Sequence, residues 1–379
     1  MRVFTTLTYY HPNISGLSLH AQMISEALVQ KGYDVTILCM RHKKQLPPQE
    51  VINGVKIQRA KPLLRISKGF LSWDYINKCL SLVKNTDVVI IHLPQVEGIF
   101  SVLYAKLFGK RVLIFYHCDV ILPKGIINKL IEKLLYFSNY LCLKYADTIL
   151  HSTKDFAEHS RLLQIFHEKI EFTYPPIKDY KAYNRIKKLL IMKTRSKYCY
   201  RIGIVARIAA DKGFEYLLEA IPLLQKKLKK KFMIFIAGPP EPVGEEDYKK
   251  KIIAMMDKYK DHLFFLGMIK EEDMGSLLAI LDVLVVPSIN STESFGTVQV
   301  EAMMQGTPIV VNDLPGMRIP VRRTGMGLIV PIKNKEKLTE AIVEILNEKN
   351  KYKIDINKIK QEFLFANTLK TYEKIIKNA

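Results

Sequence analysis

The segment Pro287–Pro308, PSINSTESFGTVQVEAMMQGTP, sets two carboxylates, Glu293 and Glu301, on either side of a glycine expected to open a helix. An apolar strand is expected to end at Val286, with a polar loop after it and a helix from about Phe295–Gly296. The first turn of such a helix leaves the backbone N–H groups of Phe295, Gly296 and Thr297 without partners inside the helix. Gly296 lets an anion approach that backbone closely, and the helix dipole favours negative charge there. Carboxylates accept strong hydrogen bonds from hydroxyl groups. Phosphate-binding amides flanked by hydroxyl-binding acids suit a nucleotide-sugar. The same residues also suit an ordinary helix, with Glu293 favourable near its N-terminus and Glu301 on a solvated face.

Two cations stand at a comparable place earlier in the chain. The strand RIGIVA (201–206) runs into Arg207, and Lys212–Gly213 opens the next helix. At the carboxyl end of a strand, Arg and Lys can reach a diphosphate and stabilise the charge that builds on a departing nucleoside diphosphate. In isolation they would equally suit surface residues paired with Asp211 or Glu215. Their occurrence together with the 293–301 segment favours the diphosphate. In the first half the strand RVLIFY ends at Tyr116 and is followed by His117-Cys118-Asp119. A histidine at a strand's carboxyl edge can orient a hydroxyl or share a proton, and a buried structural histidine is the other reading.

The elements that must hold these residues alternate almost from end to end. Strands are expected at 2–8, 34–39, 87–91, 111–116 and 147–151, then at 201–206, 232–237, 263–266, 282–286, 308–312 and 328–331. Helical periods fall between them near 18–31, 70–83, 96–107, 125–145, 153–165 and 214–228, the last with a kink expected at Pro222. This alternation predicts an α/β chain of two doubly wound, Rossmann-like parallel-sheet domains. Residues 1–180 form the first, 181–200 a basic linker, 201–360 the second, and 361–379 a helix crossing back to the first. Ligands of open α/β sheets sit outside the carboxyl ends of the strands, so a cleft between the domains is the expected active site, with 181–200 and the last helix as its hinges.

Composition narrows the class. The 379 residues are 48% hydrophobic and 25% charged, which excludes a disordered or fibrous chain. Five scattered cysteines without a CxxC pair speak against a disulfide framework or a structural zinc site. The start has no signal-peptide pattern, and the most apolar long window, 88–107, is broken by His92, Gln95, Glu97 and Lys106. A cytoplasmic chain is expected. Its formal charge of +21 is uneven: residues 1–150 hold 19 basic and 9 acidic side chains, and 181–200 hold 7 basic and none acidic.

Arg207, Lys212–Gly213, the PS at 287–288 followed by E-x7-E from Glu293 to Glu301, and Gly306-Thr307-Pro308 together resemble the retaining glycosyltransferases of family 4. AGPP (237–240), FLGMI (265–269) and LDVLVVPS (281–288) fall in the same order, so the resemblance covers most of 200–345. It implies the GT-B architecture, with the donor held mainly by the second domain. By that likeness Arg207 and Lys212 would hold the donor diphosphate, Glu293 hydroxyls of the transferred sugar, and Glu301 the ribose. Phe295, Gly296 and Thr297 would offer amides to sugar and phosphate, and Ile269 would lie near the base. His117 would face the donor sugar, and Gly16, in a loop where the family commonly has a glycine pair, would contact donor or acceptor. Two positions depart from the pattern: Ala206 replaces the usual glycine, and Gly238-Pro239-Pro240-Glu241 replaces a glycine-rich turn.

The resemblance further implies retention of configuration through front-face attack and a UDP- or GDP-linked hexosyl donor with no required cofactor. No Asp-x-Asp is present, and no metal site is expected. The acceptor would be a glycan or a lipid-linked group. Segments 61–80 and 124–145, basic, amphipathic and rich in aromatic residues, suit an anionic membrane surface on the cytoplasmic face; core-facing helices with solvated lysines suit them as well. Nucleic acid is not an expected partner, since no recognition motif accompanies the charge. A sugar-nucleotide epimerase of the same fold is the closer rival, and the E-x7-E spacing points away from it. The sequence does not set an oligomeric state.

Overall fold

The structure, a computed structural model, describes residues 1–66, 69–122, 125–193, 199–239 and 245–377. Lys124, Pro240, Glu241 and residues 194–198 of the basic stretch lie outside them. The chain divides into two compact units: residues 1–176 together with the chain from Phe365 onward, and Ile177–Leu364.

The first unit holds β1 (Arg2–Thr6), β2 (Asp34–Met40), β3 (Gln49–Ile52), β4 (Val55–Ala60), β5 (Leu64–Ile66), β6 (Gly69–Leu71), β7 (Val88–Leu93), β8 (Arg111–Tyr116), β9 (Thr148–His151) and β10 (Ile170–Phe172). Eight of these form one sheet in the order β10-β9-β8-β7-β1-β2-β4-β3, parallel except for the β3–β4 hairpin. Among the described residues, β5 and β6 pair only with each other. The central strand β7, VVIIHL, is buried at every position, as expected of a strand covered on both faces. The chain returns to this unit for its last helix, Phe365–Lys377. Its Tyr372, Ile375 and Ile376 are buried in the core with Val3, Leu28 and Phe115, and Thr368 Oγ1 donates to the carbonyl of Tyr174 at 2.9 Å.

The second unit is a six-stranded, wholly parallel sheet: β11 (Tyr200–Val205), β12 (Phe232–Ala237), β13 (Leu263–Gly267), β14 (Val283–Val286), β15 (Ile309–Asn312) and β16 (Gly327–Val330). Their order is β13-β12-β11-β14-β15-β16. The chain winds outward from β11 in one direction and then from β14 in the other, so the topological switch lies between β11 and β14. The helix Phe214–Lys227 buries Phe214, Leu217, Leu218, Ile221 and Leu224 against the sheet and continues through Pro222. The helix Asn184–Lys193 belongs to this unit too; just before it, the N–H of Tyr183 donates to Ser276 Oγ at 2.8 Å.

All eleven expected strands exist. Those not expected are β3 to β6 and β10. The β3–β4 hairpin turns at Asn53-Gly54, both with positive φ, and Asn-Gly between alternating apolar residues is a hairpin signal that was present in the sequence. The helix expected over 70–83 starts only at Trp73, because Ser72 caps it by accepting from the N–H of Tyr75. The helix expected over 153–165 is one turn, Lys154–Ala157, followed by a 3₁₀ segment, Leu163–Lys169.

Candidate active site

In the second unit, the loops leaving β11 and β14 meet at the switch. Gly213 has φ +62°, and a Cβ there would fall on the carbonyl of Pro287. The side-chain amide of Asn312, at the end of β15, donates to the carbonyls of Pro287 and Ser288, both at 2.9 Å. These contacts bring Lys212 against the far loop, where its ammonium is ion-paired with Glu293 and lies 3.3 Å from Asp211. Arg207 Nη2 donates to the other oxygen of Asp211 at 2.9 Å. Burial by itself would lower the pKa of Lys212; the carboxylates of Glu293 and Asp211 outweigh it and hold the pKa above the ordinary lysine value. Glu215, an alternative partner in sequence, instead accepts from the Tyr248 hydroxyl.

The helix after this loop spans Thr297–Met303, with Gly296 in the left-handed region (φ +69°) just before it. A Cβ on Gly296 would meet Gln299 Nε2 at 3.2 Å and Met317 Cε at 3.5 Å, so the backbone is closely packed there. Phe295 is buried edge-on against Phe363, 6.2 Å between centroids. Its ring is therefore a core residue, and only its backbone is placed at the helix start. Glu301 is not on a solvated face. It is partly buried, and burial pushes its carboxyl up to about 7, opposed by Lys178 and reinforced by Glu271. Lys178 Nζ itself lies 2.7 Å from Glu271 Oε1.

Ile269 follows β13 at the same sheet edge. Gly238, at the end of β12, has φ +140°, its N–H donates to the carbonyl of Gly267 at 2.8 Å, and a Cβ there would strike the carbonyl of Ala206. The turn that departs from the family pattern thus keeps a glycine where its backbone packs against that of Ala206. Asp211 pairs with Arg207 and Lys212 as the sequence allowed, whereas Lys178 and Glu271 carried no signal as site neighbours, since an ion pair between residues 93 apart leaves no spacing signature.

The first unit places His117 just beyond β8. Its N–H donates to the carbonyl of Leu93 at 2.9 Å, and its Nε2 lies 2.9 Å from Nδ1 of His92, the penultimate residue of β7. His20 joins them, with ring centroids 4.9 Å from His117 and 5.5 Å from His92. The helix carrying His20, expected near 18–31, begins at Gly16, with Ser15 and Ser18 forming a capping box. His20 is accordingly one full turn in and 3% exposed. Gly16 itself is exposed, and nothing within 4 Å meets a Cβ built on it. Burial lowers the pKa of all three histidines, that of His92 to about 3.

Two doubly wound units, the second with cations and carboxylates gathered at its topological switch, define the class as a glycosyltransferase of the GT-B fold. The family model described as glycosyl transferases group 1 matches residues 193–362, and that of the glycosyl transferase 4-like domain matches 15–176. The chain belongs to the family 4 glycosyltransferases. It is 24% identical to an uncharacterized glycosyltransferase of Methanocaldococcus jannaschii over 92% of this chain and 90% of that one. A phosphatidyl-myo-inositol mannosyltransferase of Mycobacterium leprae is 30% identical over 36% of this chain and 34% of its own. A crystal structure of Anabaena HepE in complex with UDP-glucose shares the fold with a TM-score of 0.80 at 15% identity, over the whole of both chains.

Proposed function

We propose that this glycosyltransferase moves a hexosyl unit, with retention of configuration and without a divalent metal, from a UDP- or GDP-sugar to a glycan or lipid-linked acceptor. The observation that carries the reading is the Lys212 ammonium held between Glu293 and Asp211 at the β11/β14 switch, with Arg207 beside it. Arg207 and Lys212 bind the diphosphate and stabilise the charge that develops on it as the glycosidic bond breaks. Glu293, already placed by Lys212, accepts hydroxyls of the transferred sugar. Glu301 accepts from the ribose, and the amides at Phe295, Gly296 and Thr297 serve sugar and phosphate. Ile269 sits near the base, His117 faces the donor sugar, and Gly16 allows close approach of donor or acceptor. The UDP-glucose named for the Anabaena structure supports a nucleotide-sugar donor.

The acceptor side is assigned to the first unit and to an anionic membrane surface on the cytoplasmic face. The helix Ile126–Tyr145 exposes Ile126, Ile127, Leu130, Leu134 and Phe137, spaced to lie along one side, with Lys129 and Lys133 on the same helix. Trp73, 70% exposed, and Leu64 add apolar surface near the β5–β6 hairpin. Among the described residues no helix is long and apolar enough to cross a membrane.

The test is a donor panel of UDP-, GDP- and ADP-sugars assayed for hydrolysis and transfer with EDTA present. One donor should turn over, and Lys212→Ala and Glu293→Ala should each reduce its rate by about 100-fold or more. If both variants keep full transfer, the site is wrongly placed.

A further inference from the structure

The donor-site reading uses His117 and leaves His92, His20 and Tyr372 without a task. All three are buried, at 1%, 3% and 0% exposure, within the layer that carries His117. His92 belongs to β7 and His117 follows β8, and those two strands are paired in register, with His92 opposite Phe115. The two imidazoles face each other through Nδ1 of His92 and Nε2 of His117 at 2.9 Å. A hydrogen bond between two neutral imidazoles requires one of these nitrogens to carry the proton and the other to lack it. The tautomers of His92 and His117 are thereby coupled, and Nδ1 of His117 has the character complementary to that of its Nε2.

The other side of His117 is set by His20. Its ring lies edge-on to His117 at 82° and 4.1 Å from the ring of Phe115. His20 Nε2 is 2.9 Å from the hydroxyl of Tyr372, while its buried Nδ1 has no partner among the described residues. A buried N–H without a partner is rarer and costlier than an unused lone pair. His20 therefore carries its proton on Nε2 and donates it to Tyr372, which belongs to the last helix of the chain. His151, one strand further on, bonds the carbonyl of Tyr116 through Nδ1 at 2.6 Å and bears on His117 only through space.

We propose that His92 and the His20–Tyr372 pair are positioning residues for His117: His92 selects its tautomer, and Tyr372 makes the C-terminal helix part of the support that fixes its ring. The inference rests on His117 acting at the donor sugar, and it gives the chain's return to the first unit a role at the site. A structural role alone would need bulk at these positions but no particular hydrogen bond.

The experiment uses the full chain labelled with 15N-histidine and reads tautomers from the coupling pattern of the imidazole nitrogens near pH 7.5. Wild type should show His117 as a single tautomer. His92→Phe, which keeps the bulk, should give a mixture of tautomers, and His92→Asn, whose amide can occupy the Nδ1 position, should restore the single form. With the donor found active in the panel, His92→Phe should lower kcat by about 10-fold or more and Tyr372→Phe by about 3-fold. The Kd for UDP should stay within about 2-fold, and His92→Asn should recover most of the rate. Unchanged tautomers and unchanged kcat in both His92→Phe and Tyr372→Phe would overturn the proposal. If His117→Ala itself keeps full turnover, it is the role of His117 that fails, whatever the tautomer spectra show.

Discussion

The backbone N–H of Ile289 donates to the carbonyl of Asp211 at 3.0 Å. One residue lies in the loop after β14 and the other in the turn after β11. This bond, with Gly213 packed beneath Pro287, sets the register in which Lys212 meets Glu293. Residues 81 positions apart in sequence are joined because the sheet order places β11 beside β14 and both loops leave the same edge. The ion pair is therefore a consequence of sheet topology, held by backbone before any ligand arrives.

Gly213→Ala should be severe. The added carbon would meet a backbone carbonyl that cannot swing aside, in a backbone conformation that side chains disfavour. We expect a loss of about 2–4 kcal/mol in denaturant unfolding. Gly16→Ala, with open space around it, should change stability by less than about 1 kcal/mol and serves as the matched control.

Donor binding should depend on pH through Glu301. Its carboxyl is raised to about 7 by burial, so it is largely neutral below that value and ionised above it. A carboxylate accepts hydroxyl hydrogen bonds better than the neutral acid. Affinity for the nucleotide-sugar that turns over in the donor panel, measured by calorimetry, should therefore rise between pH 6 and 8. Glu301→Gln should flatten that dependence and weaken binding by about 10-fold at pH 8. Lys178→Met removes the cation that lowers the Glu301 pKa and should move the rise to higher pH.

Glu97 should govern a separate pH dependence, that of stability. It follows β7, is 6% exposed, and burial raises its carboxyl to about 7. Between its unfolded value near 4.5 and about 7 the folded state binds the proton more tightly, so stability falls as pH rises through that window. Glu97→Gln should remove this slope. We expect it to raise stability by about 1–3 kcal/mol at pH 8 and to have little effect at pH 5, as read from unfolding curves.

The exposed side of the helix Ile126–Tyr145 should be separable from the fold. Leu130 is 69% exposed and Phe137 58%. Converting both to Glu should leave the melting temperature within about 2 °C, since neither packs in the core. Flotation with anionic vesicles should be lost in the variant, while wild type should float with anionic but not with neutral lipid. Equal flotation of the two proteins would remove the membrane from the proposal.

Eleven strands were legible because they are short runs of β-branched and other apolar residues, several of them buried at every position, as in VVIIHL and IVVN. β3 to β6 were not. β3 is exposed or half-buried throughout, and β5 has no buried residue, so neither carries a continuous apolar run. In the site, Arg207, Lys212, Glu293 and Glu301 stood out because charged residues follow apolar strands at the edge where ligands bind. His20 carried no such signal: Ser15 caps a helix that begins at Gly16, and that start turns the histidine inward.

By itself, then, the sequence determined the family, the two parallel-sheet units and which side chains lie beyond the carboxyl ends of the strands. These follow from local patterns of burial, turn chemistry and motif spacing. Tertiary structure alone decided the partners: Lys212 with Glu293, His92 with His117, and His20 with Tyr372, 352 residues away. Those pairs depend on strand order and on the return of the last helix. Both arise from packing the whole chain around its cores, and no window of sequence contains them.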